Sequence, residues 1–365
     1  MRDFASEQLQ SKTISFLRFP LIIGILFIHS QTSLSVVGGI SNVNTPIFDV
    51  VRDLFSFVLS AVSVPLFFLM SGYLFFYNSD FSQKTYTEKL RKRVRTLLVP
   101  YLFWNSIYLL FNLLVSYIPA LSSMFKGNST PISLENVLAA MWGCTMGVEH
   151  VYPIAYQFWF IRDLMVMVIL SPLHYIFIKQ AKIYGIVCIA ILWMMDLCIP
   201  YIGMRGMSSA AIFFFMLGAW LSINKKNIIT VSQKVVKISY FLYPLFVIAD
   251  LCTIHDNYNV FIHNIGILFG IVCCFNMASN IIQKKQMPNI AFWSSASFFV
   301  FAIHDPWILT QLRKVTIALF SPINDISLLF FYFMNVLLTV IISVFIYVII
   351  RRIIPRLAIM ITGGR

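Results

Sequence analysis

The sequence predicts an all-α integral membrane protein, a bundle of about ten transmembrane helices. Hydrophobic residues make up 59% of the 365 residues and charged residues only 11%, and the mean hydropathy is +0.83. An average soluble domain carries about 25% charged residues. Long segments such as 54–79 and 326–350 contain no Asp, Glu, Lys or Arg, whereas basic residues are concentrated between them. These features are typical of a polytopic membrane protein.

The apolar segments give the boundaries of the predicted helices. A helix needs about twenty apolar residues to cross the hydrocarbon core. The predicted spans are 15–36, 54–77, 96–118, 157–178, 183–201, 206–223, 238–255, 258–282, 290–311 and 326–350. Residues 1–365 then form a single membrane domain, and we expect no appended soluble domain and no cleavable signal peptide. The longest connection, 119–156, includes ISLENVLAAMWG, which we expect to form an interfacial or re-entrant helix.

The distribution of lysine and arginine predicts the orientation of these spans. With ten spans and a cytoplasmic amino terminus, 21 of the 27 basic residues fall in cytoplasmic segments. Six remain outside, namely Arg52, Lys126, Arg162, Arg205, Arg313 and Lys314. Basic residues accumulate in the cytoplasmic loops of membrane proteins. The sequence therefore predicts that both termini are cytoplasmic.

Several ionisable residues lie inside the predicted spans, at one depth. Arg18 lies at the inner edge of the first span, and His29 follows eleven residues later, about 16 Å along a helix. Ionisable residues at comparable depth in other predicted spans are Arg162, Asp163, Asp196, Asp250, His304 and Asp305. Such groups are costly in hydrocarbon unless they face a polar or wet interior. We therefore expect a polar chamber in the outer half of the membrane.

Each of these residues also has an ordinary structural explanation. Asp196 and Asp250 could be interfacial residues within reach of water. Asp163 could form an ion pair with the arginine that precedes it, and His263 is better explained as a structural hydrogen-bonding group. His29 is the residue least explained in this way, because it has no strongly polar neighbour in its run.

A second polar region is predicted on the inner face. The stretch LRKRVRTLLVPY, residues 90–101, contains four basic residues immediately before the third span. Such residues often extend to lipid headgroups and simply flank a span. Arginines can also bind a phosphorylated cytosolic ligand through paired, charge-assisted hydrogen bonds. Composition alone leaves both interpretations open.

Other classes of site and partner are not indicated. The six cysteines show no CxxC or Cys/His spacing, so we expect no metal site. The formal net charge of +13 is spread between apolar segments, which favours membrane topology over nucleic-acid binding. Membrane lipid is the expected surrounding partner.

Six short motifs, taken in order along the chain, resemble one known family. The first is Arg18 and His29, separated by ten residues, and the second is VPLFFLMSGYLF, which ends in a Ser-Gly-Tyr segment. The third is an RxxxR pattern at Arg91 and Arg95, followed by a Pro-Tyr pair. The others are FWFIRDL, FFFMLGAWL and SSASFFVFAIHDPWI. The chain resembles the acyltransferase 3 family of integral-membrane O-acyltransferases, in particular the branch with the enterobacterial common antigen O-acetyltransferase.

The resemblance implies a bacterial inner-membrane enzyme. It would transfer an acyl group, usually acetyl, from cytosolic acyl-CoA to a hydroxyl of an envelope glycan or glycolipid, with no permanently bound cofactor. The residues that it assigns to the donor are Arg18, Ser71, Arg91 and Arg95. His29 would act as the general base, for which neutral imidazole is suited, and Asp163 and His304 are the further catalytic candidates.

Two other functions are compatible with the same helices. A transporter or flippase of a lipid-linked glycan would also have ten spans with intramembrane charges. It would move its substrate without turning over acyl-CoA, and it gives no reason for the arginine and histidine motifs. A structural subunit of a polysaccharide assembly complex is the third possibility, against which the presence of His29, Arg91 and Arg95 argues.

Reporter fusions test the predicted topology. A fusion at Arg365 is expected to be active only with a cytoplasmic reporter, and a fusion within 119–156 only with an extracytoplasmic one, because basic residues mark the cytoplasmic side. An extracellular Arg365 would contradict the assignment of separate inner and outer polar regions.

Overall fold

The computed structural model describes residues 4–31, 45–78, 80–117, 134–143, 152–195, 207–284, 287, 289–321 and 324–364. All regular structure within these ranges is helical. The helices of the first half are α1 (Phe4–His29), α2 (Pro46–Asp53), α3 (Ser63–Phe76), α4 (Gln83–Arg93), α5 (Val99–Tyr117), α6 (Leu134–Trp142) and α7 (Trp159–Ile169).

The second half continues the same pattern of apolar helices. Its helices are α8 (Ser171–Met194), α9 (Ser209–Ile223), α10 (Ile228–Gln233), α11 (Val236–Thr253), α12 (Asn259–Lys284), α13 (Ile290–Ile303), α14 (Leu309–Phe320), α15 (Asp325–Ile353) and α16 (Pro355–Thr362). Short π-helical segments, Leu54–Leu59, Val94–Leu98 and His304–Ile308, join some of the helices.

The helices confirm an all-α, multi-pass membrane protein. In the described part of the chain, seven helices are long and apolar enough to cross a membrane when Ser171–Met194 is counted as one helix. Two of them, Pro46–Phe76 and Gln83–Val115, continue through π-helical turns. The helix Ser209–Ile223 is apolar but shorter. The count of ten and the side on which each terminus lies stay predictions.

The helix α8 consists of two short helical segments rather than one straight helix. Lys182 has non-helical backbone angles, with φ 53° and ψ −138°. A Cβ atom placed on Gly185 would lie 2.6 Å from the ring of Phe177. In a straight helix, residues eight positions apart are separated by about 12 Å, so the chain must fold back at Lys182. The boundary predicted between the spans 157–178 and 183–201 falls at this turn.

The first helix is displaced from its predicted position. The sequence predicts a span over 15–36, whereas α1 begins at Phe4 and ends at His29. Its polar first turns are tied into the bundle, since the Gln10 side chain donates to the Tyr73 hydroxyl and accepts from the Ile228 amide. His29 is therefore the last residue of a helix and not the middle of one, and the predicted residues 32–36 lie outside the described ranges.

Two glycines allow the backbones of α3 and α9 to touch. A Cβ atom on Gly72 would lie 2.0 Å from the carbonyl oxygen of Phe215, and one on Gly218 would lie 2.0 Å from that of Leu69. Small residues permit this close packing between membrane helices. The contact fixes the neighbouring Ser71 on α3, which lines the cavity described below.

The helix α13 lies in the centre of the bundle. Most of its side chains are buried, among them Phe298, Phe299 and Phe301. It packs against α1 and α15, and the His304–Ile308 segment follows it directly. Arg18 and His29 thus lie on α1, and His304 lies in the segment that directly follows the contacting helix α13.

We expect Gly218→Ala to destabilise the protein by about 1–3 kcal/mol, because the added methyl group would overlap the Leu69 carbonyl and force the two helices apart. Thermal unfolding of the detergent-solubilised protein measures this loss. Gly266→Ala is the matched control, since its added Cβ would lie 3.6 Å from Phe246, an ordinary contact. Equal unfolding temperatures for the two variants would contradict the close approach of α3 and α9.

Candidate active site

A cavity of about 230 Å³ lies among α1, α3, α7 and α13. We call it the arginine cavity, because Arg18 and Arg93 both line it. Its other polar lining residues are Ser71, Thr96 and Ser297, and its apolar lining includes Ile22, Ile25, Phe298 and Phe301. Ligand pockets usually measure about 300–1,000 Å³. The arginine cavity is thus suited to a slender ligand, or to one end of a larger ligand.

The arginine cavity carries positive charge that no described carboxylate balances. None of the described residues that line it is acidic, and neither Arg18 nor Arg93 forms an ion pair within the described part of the chain. Arg18 donates to the Ser294 hydroxyl at 3.1 Å. The Thr96 hydroxyl is buried without a partner among the described residues. Two forked cationic groups and a free hydroxyl are a suitable set for an anion.

Among the basic residues that precede the third predicted span, the arginine that lines the cavity is not one of the RxxxR pair. Arg91 and Arg95 are exposed, and Arg93 is the residue that faces the cavity. The apolar stripe of the same helix explains why: Arg93 precedes the buried Leu97 and Tyr101 at helical spacing. Residues two positions away point to the opposite side. The helical spacing of Arg93, Leu97 and Tyr101 is present in the sequence, but the RxxxR motif contains Arg91 and Arg95 instead.

A second group of polar side chains meets at the carboxyl end of α1. We call it the histidine site, and its members are His29, Tyr156, His304, Asp305 and Arg313. The His29 and His304 ring centroids are 5.0 Å apart, and those of His29 and Tyr156 are 5.1 Å apart. The histidine site combines two residues that the sequence identifies as catalytic candidates, His29 and His304.

A chain of hydrogen bonds fixes the state of the His29 ring. The Tyr156 hydroxyl lies 3.1 Å from His29 Nδ1 and donates to Asp305 Oδ2. An ionised carboxylate can only accept, so the single phenolic hydrogen goes to Asp305. The tyrosine oxygen must then accept from Nδ1–H of His29. This leaves His29 Nε2 with a lone pair, and no described residue hydrogen-bonds that atom.

Asp305 is held in place by several groups. It is 5% exposed, its Oδ1 accepts from the Thr310 hydroxyl, and its backbone carbonyl accepts from the Gln157 amide at 2.7 Å. The peptide bond between Asp305 and Pro306 is cis. Arg313 is buried within electrostatic reach of Asp305, and its Nη1 donates to the His29 carbonyl at 3.5 Å. A buried carboxylate needs such compensation.

His304 carries a polar atom for which the protein supplies no described partner. Its ring is fully buried, and its Nδ1 donates to the Phe301 carbonyl at 2.6 Å. The other nitrogen, Nε2, is buried without a hydrogen-bond partner among the described residues. Leaving a buried acceptor unpaired costs about 1–3 kcal/mol. The histidine site therefore contains two imidazole nitrogens, Nε2 of His29 and Nε2 of His304, that have no hydrogen-bond partner among the described residues.

One face of α1 connects the arginine cavity to the histidine site. Arg18, Ile22, Ile25 and His29 follow one another at helical spacing, and eleven residues are three turns plus about 20°. Ile25, which lines the cavity, lies one turn before His29. On the facing helix, Phe301 also lines the cavity, and its ring centroid is 6.0 Å from that of His304. These two apolar side chains separate the two polar regions.

Asp163 is not part of the histidine site. Its Oδ1 accepts two hydrogen bonds from Arg162, at 3.1 and 3.3 Å, and its Oδ2 accepts from the Ser208 amide. Arg162 also donates to the Trp142 carbonyl. Both residues of this ion pair are about 97–99% buried, with exposures of 3% and 1%. These contacts match the alternative of a neighbouring ion pair and hold α7 against α6 and α9.

Asp250, another acidic residue of the group predicted at this depth, belongs to a different cluster. Asp250 is buried and accepts from Asn259 at 2.8 Å, and its Oδ2 lies 2.8 Å from His263 Nδ1. This pairing agrees with a structural role for His263. Asp196 lies outside the described residues. The polar groups predicted for the outer half thus form separate clusters rather than one chamber in the described chain.

Two members of the histidine site were not candidates from the sequence. Tyr156 is one of 16 tyrosines and precedes its helix in a short 3-10 turn, so no periodicity marks it. Arg313 is counted among the outer basic residues in the topology, whereas it is only 8% exposed. Its burial depends on tertiary contacts that the local sequence does not encode.

Comparison with known proteins decides the family. A family model described as an acyltransferase domain matches residues 12–348. The chain belongs to the acyltransferase 3 family. This acyltransferase is also 24% identical, over 366 residues, to the succinoglycan biosynthesis protein ExoH of Rhizobium meliloti, across 97% of this chain and 92% of that protein. No solved structure matches the chain.

The family assignment bears on the alternatives left open by the sequence. It confirms the resemblance and identifies an acyltransferase, which favours an enzyme over a transporter or a structural subunit. The matched residues include Arg18, Arg93, His29 and His304. The polar side chains of both regions of this acyltransferase therefore lie within the matched domain.

Proposed function

We propose that this acyltransferase transfers an acetyl group from cytosolic acetyl-CoA to a hydroxyl of a cell-envelope polysaccharide or of its lipid-linked precursor. The observation that carries the proposal is the face of α1 on which Arg18 and His29 lie three turns apart. It relates a cavity lined by two arginines to a histidine whose Nε2 has no described hydrogen-bond partner. The name of the ExoH relative, a protein of succinoglycan biosynthesis, supports a polysaccharide acceptor.

In this proposal the arginine cavity receives the donor. Arg18 and Arg93 bind phosphate groups of the nucleotide, since guanidinium groups match phosphate oxygens through paired hydrogen bonds. The volume of the cavity suits the narrow arm of the donor rather than its whole nucleotide. Ser71, Thr96 and Ser297 offer hydroxyl groups to the amides of that arm. The thioester then extends past Ile25 toward His29.

The histidine site provides the base. His29 Nε2 removes the proton from the acceptor hydroxyl as its oxygen attacks the thioester carbon. The new carbon–oxygen bond forms, the carbon–sulfur bond breaks, and the proton passes from His29 to the departing thiolate. Tyr156 and Asp305 hold the imidazole in the required tautomer and stabilise its protonated form, as the carboxyl end of a helix also does.

Two assays with the intact protein test the proposed reaction. The first follows release of free thiol from acetyl-CoA by the protein in lipid nanodiscs, with purified surface polysaccharide as acceptor. The second compares by mass spectrometry the surface polysaccharides of a deletion strain, of its parent and of the strain complemented with the gene. We expect thiol release and acetyl groups that disappear on deletion and return on complementation. Polysaccharides of identical mass in all strains, without thiol release, would reject the proposal.

His29→Gln is expected to lower the rate of acetyl transfer by about 10²–10⁴-fold, the usual contribution of a general base. Glutamine can keep a hydrogen bond to Tyr156 but cannot take up a proton. Turnover of acetyl-CoA measures the rate, and its binding should change far less than turnover. His263→Gln is the matched control, because His263 also pairs with a buried carboxylate but lies in another cluster. A near-parental rate for His29→Gln would remove His29 as the base and make His304 the next candidate.

Arg93→Gln is expected to weaken acetyl-CoA binding by about ten- to a hundredfold, since a hydrogen bond to a charged group contributes about 1.5–3 kcal/mol. Equilibrium binding of radiolabelled acetyl-CoA to nanodisc-embedded protein provides the measurement. Arg91→Gln carries the same change two residues away at an exposed position, and we expect it to keep the parental affinity. If Arg91→Gln weakened binding more than Arg93→Gln did, the donor site would instead be assigned to Arg91 and Arg95.

A further inference from the structure

The last helix of the described chain returns to the arginine cavity. After α15 the chain turns at Ile354, and α16 packs against α5, α13 and α15. Ala358, Ile361 and Thr362 of α16 are buried, with exposures of 3%, 2% and 1%. The indole nitrogen of Trp104 donates to the Ile361 carbonyl at 3.0 Å. This helix is therefore anchored in the bundle at both its apolar face and its backbone.

Two glycines continue from α16 into the cavity wall. Gly363 and Gly364 line the cavity together with Arg18 and Arg93. Both glycines have left-handed backbone angles, with φ of 71° and 70°, which side-chain-bearing residues seldom adopt. A Cβ atom on Gly363 would lie 2.4 Å from the carbonyl oxygen of Thr96. Only glycine permits this segment to lie directly against the helix that follows Arg93.

The glycines contribute shape rather than hydrogen bonds. The Gly364 amide donates to the Ile359 carbonyl at 2.7 Å, and the Gly363 amide donates to the Met360 carbonyl at 3.4 Å. Their donors are thus used within the end of α16. What they add to the cavity is a section of backbone that forms part of its wall beside Thr96.

This wall lies beyond the part of the chain that the family model matches. The match ends at residue 348, within α15, and α16 and the two glycines follow it. The pattern shared by the family therefore does not account for the segment. Its contribution to the arginine cavity follows from the contacts of Thr96, Trp104 and Gly363 alone.

We propose that Gly363 and Gly364 are positioning residues for the donor, which close the arginine cavity around the arm of acyl-CoA. The proposal rests on the proposed function. Enclosure by a preformed wall lowers the cost of immobilising a flexible arm. The wall also excludes lipid headgroups, whose phosphates would compete for Arg18 and Arg93. Removal of the glycines would leave the arginines and His29 in place but would widen the space in which the arm moves.

A chain that ends at Thr362 tests the proposal, with full-length protein in nanodiscs as reference. We expect the KM for acetyl-CoA to rise by about tenfold or more while kcat falls less, because the chemistry at His29 is untouched. Gly363→Ala retains the chain length but forces the backbone away from Thr96, and we expect the same direction of change. Ile359→Ala is the matched control, since that side chain of α16 is 61% exposed.

Thiol labelling separates this proposal from the proposed function. A Ser71→Cys reporter in the cavity is treated with a water-soluble maleimide, and mass spectrometry of the peptide that contains residue 71 gives the rate. We expect faster labelling in the chain that ends at Thr362 and in Gly363→Ala than in the reporter alone. Faster labelling in both variants, together with no turnover of acetyl-CoA by any of the proteins, would support closure of the cavity by the glycines and would reject acetyl-CoA as the donor. Unchanged labelling and unchanged KM in both variants, with parental thermal unfolding, would overturn the wall.

Discussion

The rigidity of α1 is the constraint on which the proposed mechanism depends. A helix rises by about 1.5 Å per residue and turns by about 100°, so eleven residues carry a side chain three turns along without changing its face. Arg18 and His29 are related in this way on a helix whose two ends are fixed by other elements. Gln10 binds α3 and the start of α10, and the carbonyl of His29 accepts from Arg313. The spacing of Arg18 and His29 along α1 is therefore set by the regular rise of the helix.

Helical periodicity explains which parts of this arrangement the sequence could predict. The class of the protein, most of the apolar helices and the pairing of Arg18 with His29 follow from composition and spacing along single helices. Arg93 is at helical spacing from buried apolar residues, whereas the RxxxR pattern indicates Arg91 and Arg95, which are exposed in the structure. The first helix begins at Phe4 rather than at residue 15, because tertiary hydrogen bonds stabilise polar turns that apolar length does not mark.

The partners of His29 could not be predicted in the same way. Tyr156 and Asp305 lie far apart along the chain, each at a break between helices where periodicity ends, and Arg313 reaches the site from α14. The His304–Ile308 segment interrupts the helix after α13, with Asp305 in an extended conformation. Departures from the regular helix often occur at functional sites of proteins. Asp163 is the opposite case. Its depth along the predicted span made it a candidate, but both of its oxygens accept hydrogen bonds, from Arg162 and from the Ser208 amide.

The apolar side chains of Ile25 and Phe301, between the two polar regions, have a consequence for the cell. A continuous aqueous path from one face of the membrane to the other would conduct ions and dissipate the electrochemical gradient. Charged species face a large desolvation barrier at an apolar constriction, whereas a neutral thioester on a thin chain does not. In the proposed reaction, such an insulating seal would let the acyl group pass from donor to acceptor while the membrane potential is maintained.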